Sequence, residues 1–338
     1  MRRAARRFGF VITMTAVLFA LVGPGTAAAH IAGGASPTNS RSTVTEIQPA
    51  GSGVGVTVGL GGQFVRVSDR GAEEIVVLGY RGEPFLRLSQ QGVQVNPRSP
   101  TAAQTGQLPP TAQSAGTDVQ SASTGEQWVQ LTDGDSVTWT DARVDGRSLP
   151  EGASESWTLP LIVDGRPVTI LGMRTGLAAP SPWPWVAALG LVALAVAALG
   201  RVRDWHRPVA AVIVAGVVAF GVHMLGSGMA AQPGGSFSGW VVIAVLGAFC
   251  LLVAGVTVVS TLRGTALAAS RLPMMAVTLL LLAGTDISGL WSSQLPFAGP
   301  AVLDRGLLVV IYGIALGLLV AGVRLARAPG PAAPGPAR

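Results

Sequence analysis

Two kinds of hydrophobic pattern divide the chain. Between residues 40 and 98, apolar and polar residues alternate in short runs (TVTEIQPA, VGVTVGL, QFVRVSD, EIVVLGY, FLRLS) broken by Gly, Pro and Asp. Side chains on a strand point alternately to two faces, so such runs predict half-buried β-strands. QWVQLTDGDSVTWTD continues the pattern on either side of Asp133-Gly134, and SWTLPLIVDGRPVTILGM does so around Asp164-Gly165. Asp-Gly between alternating runs favours a two-residue hairpin turn, whose central positions both need positive φ. Seven or more short strands within about 150 residues point to an all-β, Ig-like sandwich. Residues 99–125 interrupt it with Ser, Thr, Ala, Gln and Pro and no apolar period, which reads as a long flexible loop.

Beyond Pro180 the alternation gives way to continuous apolar stretches at 183–200, 208–226, 239–262, 272–290 and 302–325. About 18–20 such residues cross a ~30 Å hydrocarbon layer as a helix. The pattern predicts an α-helical transmembrane bundle of five helices, entered through Pro180-Ser-Pro-Trp-Pro-Trp185, whose indoles suit a membrane–water interface. A shorter apolar run at 8–22 follows Arg2, Arg3, Arg6 and Arg7, ends at Gly23-Pro24-Gly25 and precedes the small residues Ala27 and Ala29. These are the parts of a secretory signal peptide; an uncleaved N-terminal anchor is the other reading. The expected organisation is a signal peptide at 1–29, a β-sandwich at 30–180, a membrane domain at 181–326 and a Pro/Ala/Gly-rich tail at 327–338.

Composition agrees. Hydrophobic residues make up 49% of the 338 and charged residues 12%, about half the charged share of a soluble protein. All 23 basic residues are arginine, which removes chemistry that needs lysine, such as a P-loop or a Schiff base. A net charge of +6 would suit nucleic acid if it lay on one face. It does not. Residues 30–180 hold ten arginines and fourteen carboxylates, a net of −4. The surplus sits in the first seven residues, in RVRDWHR and RGTALAASR, and in the C-terminal tail, whereas SGMAAQPGGSFS and SSQLPFAGPAVLDR carry no net positive charge. By the positive-inside rule this is a multi-pass protein of the cell (inner) membrane, with an extracytoplasmic β domain and a cytoplasmic C-terminus. Its partner is the lipid bilayer, and nucleic acid is excluded.

Few residues carry chemistry. Cys250, the single cysteine, permits no intrachain disulfide and no CxxC site. No GxSxG, HExxH or phosphate-binding glycine loop occurs, so an enzyme is not expected. Cleavage after Ala29 would make His30 a new terminus whose amine and imidazole nitrogens suit copper; alternatively, the cut simply falls before a histidine. His206, in RVRDWHRP, reads as interfacial. His223 lies about 22 Å into the second span at ~1.5 Å per residue, and Asp286 about 21 Å into the fourth. Ionisable groups at matching depth in a membrane point to function, here metal or proton handling, with Met224 and Met229 as soft ligands for Cu(I). The bland alternative is that His223 and Asp286 satisfy each other near the interface.

EIVVLGYRGEPFLRLSQQGVQVNPRSP resembles a signature, V-V-L-G-Y-x-G-E-P-Y-L-R then V-x-x-N-x-x-S-P, of a family of uncharacterised actinobacterial membrane proteins. Gly79, Tyr80, Gly82, Glu83, Pro84, Leu86, Arg87, Asn96, Ser99 and Pro100 carry the match, and WTLPLIVDGRPVTILGM and SSQLPF extend it. The resemblance implies an exported β domain followed by about five transmembrane helices, and no activity. It also implies a mature start like Ala-His-Gly, approximated by Ala29-His30, and a segment W-x-D-H-R-x-H-W. Trp139, Asp141 and Arg143 occupy that segment, but Ala142, Val144 and Asp145 replace its histidine-bearing part. A distant likeness to periplasmic copper-resistance domains therefore comes with ligands lost.

Two functions are compatible with these residues. One is a non-enzymatic accessory role in the cell envelope, with copper handled by His30, His223, Met224 and Asp286. The other is a structural or interaction protein whose β domain docks another envelope protein through Tyr80, Glu83, Pro84 and Phe85. That segment otherwise forms a turn that packs the sandwich.

Overall fold

A computed structural model describes residues 36–107, 127–145, 149–231, 237–284 and 286–327. The expected signal peptide, His30, most of the expected loop and the C-terminal tail lie outside these residues. Two compact units are present, Thr38–Ala179 and the helices from Pro180 onward.

The first unit is antiparallel β. Ten strands are described: β1 Ser40–Gln48, β2 Val54–Gly59, β3 Phe64–Asp69, β4 Glu74–Leu78, β5 Pro84–Ser89, β6 Gly92–Val95, β7 Val129–Thr132, β8 Ser136–Trp139, β9 Ser154–Val163 and β10 Arg166–Gly176. They form a seven-stranded sheet, β1-β10-β9-β4-β5-β6-β7, and a three-stranded sheet, β2-β3-β8. Strand periodicity explains the core: Trp157, Leu159, Leu161 and Val163 alternate on β9, as do Ile75 and Val77 on β4, and all are buried. Val65, Val67, Val137 and Trp139 of the smaller sheet join the same apolar cluster.

The two Asp-Gly turns diverge. Asp164 (φ 50) and Gly165 (φ 74) close a tight β9–β10 hairpin with Arg166 opposite Val163, as the pattern predicts. The hairpin expected at Asp133-Gly134 does not form. Its two runs are strands, but β7 pairs with β6 and β8 pairs with β3, so the chain crosses from one sheet to the other. Gly134 lacks the positive φ that a hairpin of this type needs. The amide of Asp69 instead bonds to the carbonyl of Asp135 at 2.9 Å, and Gly134 N–H donates to Thr132 Oγ1 at 3.3 Å. Burial of Val137 and Trp139 opposite β3 decides the pairing.

The expected loop also starts with order. Helix α1, Pro100–Thr105, is capped by Ser99, whose hydroxyl accepts from Thr101 N–H at 3.1 Å; Pro100 opens it and Gly106 (φ 69) closes it. Proline in the first turn and a left-handed glycine after the last are the usual boundary residues of a helix.

The second unit comprises α2 Trp183–Leu199, α3 His206–Ala231, α4 Phe237–Leu262, α5 Ala268–Ala283 and α6 Ala301–Arg327. Among the described residues, three helices are long and apolar enough to cross a membrane: His206–Ala230, Trp240–Leu262 and Ala301–Arg327. Trp183–Leu199 and Ala268–Ala283 are shorter apolar helices. The stretch predicted as one span at 272–290 is broken: α5 ends at Ala283, and a 3₁₀ turn occupies Asp286–Trp291.

Small residues set the packing. A Cβ on Gly313 would collide with Val192, one on Gly317 with Val196, and Gly200 lies against Ala321. The order of these contacts makes α2 and α6 parallel, and glycines four apart let two apolar helices approach closely. Gly264, in the turn after α4, faces the His206 imidazole, so the two arginine-bearing turns lie side by side. The turn before α6 lies near the opposite end of α3, with Ala298 N–H donating to Gly226 O at 2.9 Å.

A buried Asp–His–Asp array as the candidate functional site

Beyond Pro180 the sequence holds three carboxylates, Asp204, Asp286 and Asp304. Two of them meet one histidine. His223, on α3, has Nδ1 at 2.6 Å from Asp304 Oδ1 of α6 and Nε2 at 3.1 Å from Asp286 Oδ2 of the 3₁₀ turn. The His223 and Asp304 side chains are each 3% exposed, whereas Asp286 is 29% exposed, so the array opens at one end. The Phe297 ring stacks against the imidazole with centroids 6.4 Å apart and 10° between planes. Gly226 makes that placement possible, because a Cβ there would overlap the Phe297 ring.

The broken helix is what presents Asp286. Ending α5 frees backbone carbonyls inside an apolar bundle, where water cannot satisfy them. Side chains of α6 do so instead. The Tyr312 hydroxyl donates to Ala283 O. Arg305, itself buried, donates from Nε to Gly289 O at 3.1 Å and from Nη2 to Ser292 O at 2.6 Å. The Arg305 guanidinium also lies 5.9 Å from the Trp185 ring centroid. Successive α6 residues thus hold the site: Asp304 takes the imidazole, and Arg305 ties down the segment carrying Asp286.

Chemistry follows from counting protons. A carboxylate only accepts hydrogen bonds, and a neutral imidazole donates from one nitrogen. Two bonded nitrogens therefore require two protons across the array: either an imidazolium between two carboxylates, or an imidazole with one carboxylic acid. Loss of one proton leaves a lone pair facing a lone pair at one contact. With an imidazolium, His223 and Arg305 balance Asp286 and Asp304. The same geometry disfavours a metal centre. The carboxylates sit on opposite edges of the ring rather than around one point, and among the described residues no group of three or more His, Cys, Asp or Glu is placed to hold a metal.

Sequence reasoning paired His223 with Asp286, and the structure joins them. Met224 packs in the apolar helical cluster, while Met229 is exposed. In sequence, Asp304 and Arg305 cancel each other's charge in a neutral connection, which hides both. A signal for Asp304 exists: Asp304, Leu308, Ile311, Ala315, Leu318 and Gly322 follow a four-three spacing, and all are buried on one face of α6.

The β domain carries a second polar cluster. Glu83 Oε1 accepts from Ser99 Oγ and Thr101 Oγ1, both at 2.7 Å, and Oε2 accepts from Arg81 N–H at 2.9 Å. Burial pushes the Glu83 carboxyl up, but the bonds from Thr101, Ser99 and Arg81 outweigh it and hold the group below the usual carboxylate range. Asn96 Nδ2 donates to Pro84 O at 2.9 Å. A Cβ on Gly79 would strike the Glu83 carboxyl and the Thr101 hydroxyl. The start of β5 is thus tied through Glu83–Ser99 and Pro84–Asn96 bonds to the segment that leads into α1.

Phe85 is fully buried, edge-on to Trp139 with centroids 6.0 Å apart, so it is not an exposed contact; it packs the core. The Tyr80 hydroxyl accepts from Ala142 N–H at 3.0 Å, and the Arg143 guanidinium lies 4.9 Å from its ring centroid. Burial, aided by Asp141, raises the Tyr80 phenol above its ordinary value against the bond from Ala142 and the charge of Arg143. Asp141 is buried too: it accepts from Trp139 Nε1 at 3.0 Å and from Arg143 Nη2 at 2.7 Å.

No family model, curated protein or solved structure matches the chain.

Proposed function

We propose that the chain is a non-enzymatic, multi-pass protein of the bacterial cell envelope whose membrane domain responds to protons through Asp286–His223–Asp304. The β domain is an extracytoplasmic Ig-like sandwich, the five helices form the membrane bundle, and the C-terminus is cytoplasmic. Three helices long and apolar enough to span, and two arginine-bearing turns at one end of the bundle, support that placement.

The observation that carries the reading is a single imidazole bonded on both nitrogens by carboxylates inside an apolar bundle. Ionisable groups at such positions are expensive and mark ion or proton pathways. The array links three separate elements, so gain or loss of one proton alters how α3, α6 and the 3₁₀ turn are held together. The partly exposed Asp286 is the end at which a proton enters. Copper handling gains no support from this geometry, and neither does docking through Phe85.

The test is nitrogen NMR of ¹⁵N-histidine-labelled full-length protein in bilayers across pH 5–9. His223 should show a titration, assigned by its loss in His223→Gln, whose midpoint moves in Asp286→Asn and in Asp304→Asn. An imidazole signal that stays constant over this range in all three proteins would refute the reading. Stoichiometric Cu(I) uptake lost in His223→Gln would replace it with metal handling.

A further inference from the structure

A groove of about 340 Å³ runs between α2 and α6, away from the histidine. Leu194 and Ala198 line it from α2, Leu316 and Val320 from α6, and Arg201 and Arg324 stand at its end. Leu194 is 70% exposed and Val320 40%, so the walls are apolar yet uncovered among the described residues. Among the described residues no carboxylate lines the groove, and neither guanidinium makes a side-chain hydrogen bond or ion pair. Seven residues separate Leu194 from Arg201 and eight separate Leu316 from Arg324, so the apolar walls extend about 10–12 Å from the charges.

From this arrangement we infer that the groove binds one anionic phospholipid, its phosphate between Arg201 and Arg324 and the upper part of an acyl chain along Leu194, Ala198, Leu316 and Val320. Two planar cations that line one apolar channel, with no carboxylate partner among the described residues, match a headgroup with a chain attached. A free phosphate would use the arginines and leave the channel uncovered. The inference rests on the reading that these helices lie in a bilayer, but not on the histidine array. Basic pockets between spans on the arginine-rich side are the expected place for acidic lipids. Arginines near helix C-termini also complement the helix dipole, a role that does not discriminate between headgroups.

Delipidated full-length protein in neutral detergent, titrated with phosphatidylglycerol or phosphatidylcholine and read by native mass spectrometry, separates these roles. The wild type should retain one phosphatidylglycerol at about 30-fold higher affinity than phosphatidylcholine, given roughly fivefold per arginine. R201Q/R324Q should lose most of that preference, R324K should keep much of it, and A198F should weaken binding of both lipids by filling the channel. Equal affinity for the two lipids, or an unchanged preference in R201Q/R324Q, would overturn the proposal. So would displacement of the lipid by millimolar inorganic phosphate together with no effect of A198F, which would reassign the arginines to a free anion. Sedimentation with membranes, measured alongside, reports whether the helices are in a bilayer at all.

Discussion

Both units bury carboxylates, and the donors facing those carboxylates differ. In the β domain, Asp141 is met by an indole and a guanidinium, and Glu83 by two hydroxyls and backbone amides. None of these donors changes protonation near neutral pH, and most lie within a few residues or in the neighbouring turn. In the helical unit, Asp286 and Asp304 are met by an imidazole, the one side chain whose ordinary titration falls near neutrality. Its partners come from 63 and 81 residues away. Fixed donors make a carboxylate a structural tie, whereas a titratable donor shared between two carboxylates makes it a responsive one.

The largest effect should come from the helices. Asp304→Ala leaves His223 Nδ1 without its buried partner while Nε2 keeps only the partly exposed Asp286, and breaking such a buried pair costs ~3–5 kcal/mol. Thermal unfolding of the full chain in detergent checks this, and a loss under about 1 kcal/mol would remove the distinction between the two clusters. Asp141→Ala orphans the Trp139 indole and leaves Arg143 hydrogen-bonded only to the Leu78 and Gly79 carbonyls, with an expected loss of ~1–3 kcal/mol for the buried donor left unsatisfied. Because indole and guanidinium do not titrate there, that loss should be the same at pH 6 and pH 8. A dependence on pH would mean that the β cluster is responsive as well.

Glu83 supplies a smaller, signed contrast. Its folded carboxyl lies below the ordinary value of 4.5, so its bonds stabilise the fold at pH above that value. That contribution is lost as pH falls through the folded value. Hydrogen exchange along β5, corrected for the intrinsic rate, should lose protection below about pH 4.5 in the wild type. In Glu83→Gln the profile should be flatter, with about 1 kcal/mol less protection at pH 7. Equal profiles would show that the turn is held by Asn96 and Gly79 without the carboxylate.

How much of this was legible differs between the units for a physical reason. Strand periodicity is local, so the β runs, the change of pattern at Pro180 and the Asp164-Gly165 hairpin could all be read from neighbours in sequence. His223 and Asp286 were matched because depth along a span is also a local count. Asp304 escaped because its burial depends on where α6 starts: its charge cancelled that of Arg305 in a stretch read as connection. The break after Ala283 escaped too, since an apolar run does not reveal that Tyr312 and Arg305 stand ready to donate to the carbonyls around it. The partners of β7 and β8 were misread because strand pairing is settled by which face the core needs, information that Asp133-Gly134 does not contain.

That last contrast gives the finest test. Gly165 has φ 74 in a two-residue turn, a backbone region costly for residues with a Cβ. Gly165→Ala should therefore cost about 1 kcal/mol, even though nothing lies within 4 Å of the added methyl. Gly134 has no positive φ, and an added Cβ would meet only the Thr132 side chain, Oγ1 at 3.6 Å and Cγ2 at 4.0 Å, ordinary contact. Gly134→Ala should change stability by less than about 0.5 kcal/mol. The pair can be compared in the full chain by hydrogen exchange at β9–β10 and at β7–β8. Equal losses at the two sites would mean that Asp133-Gly134 forms the tight turn its sequence suggests, and that the crossing between sheets is wrong.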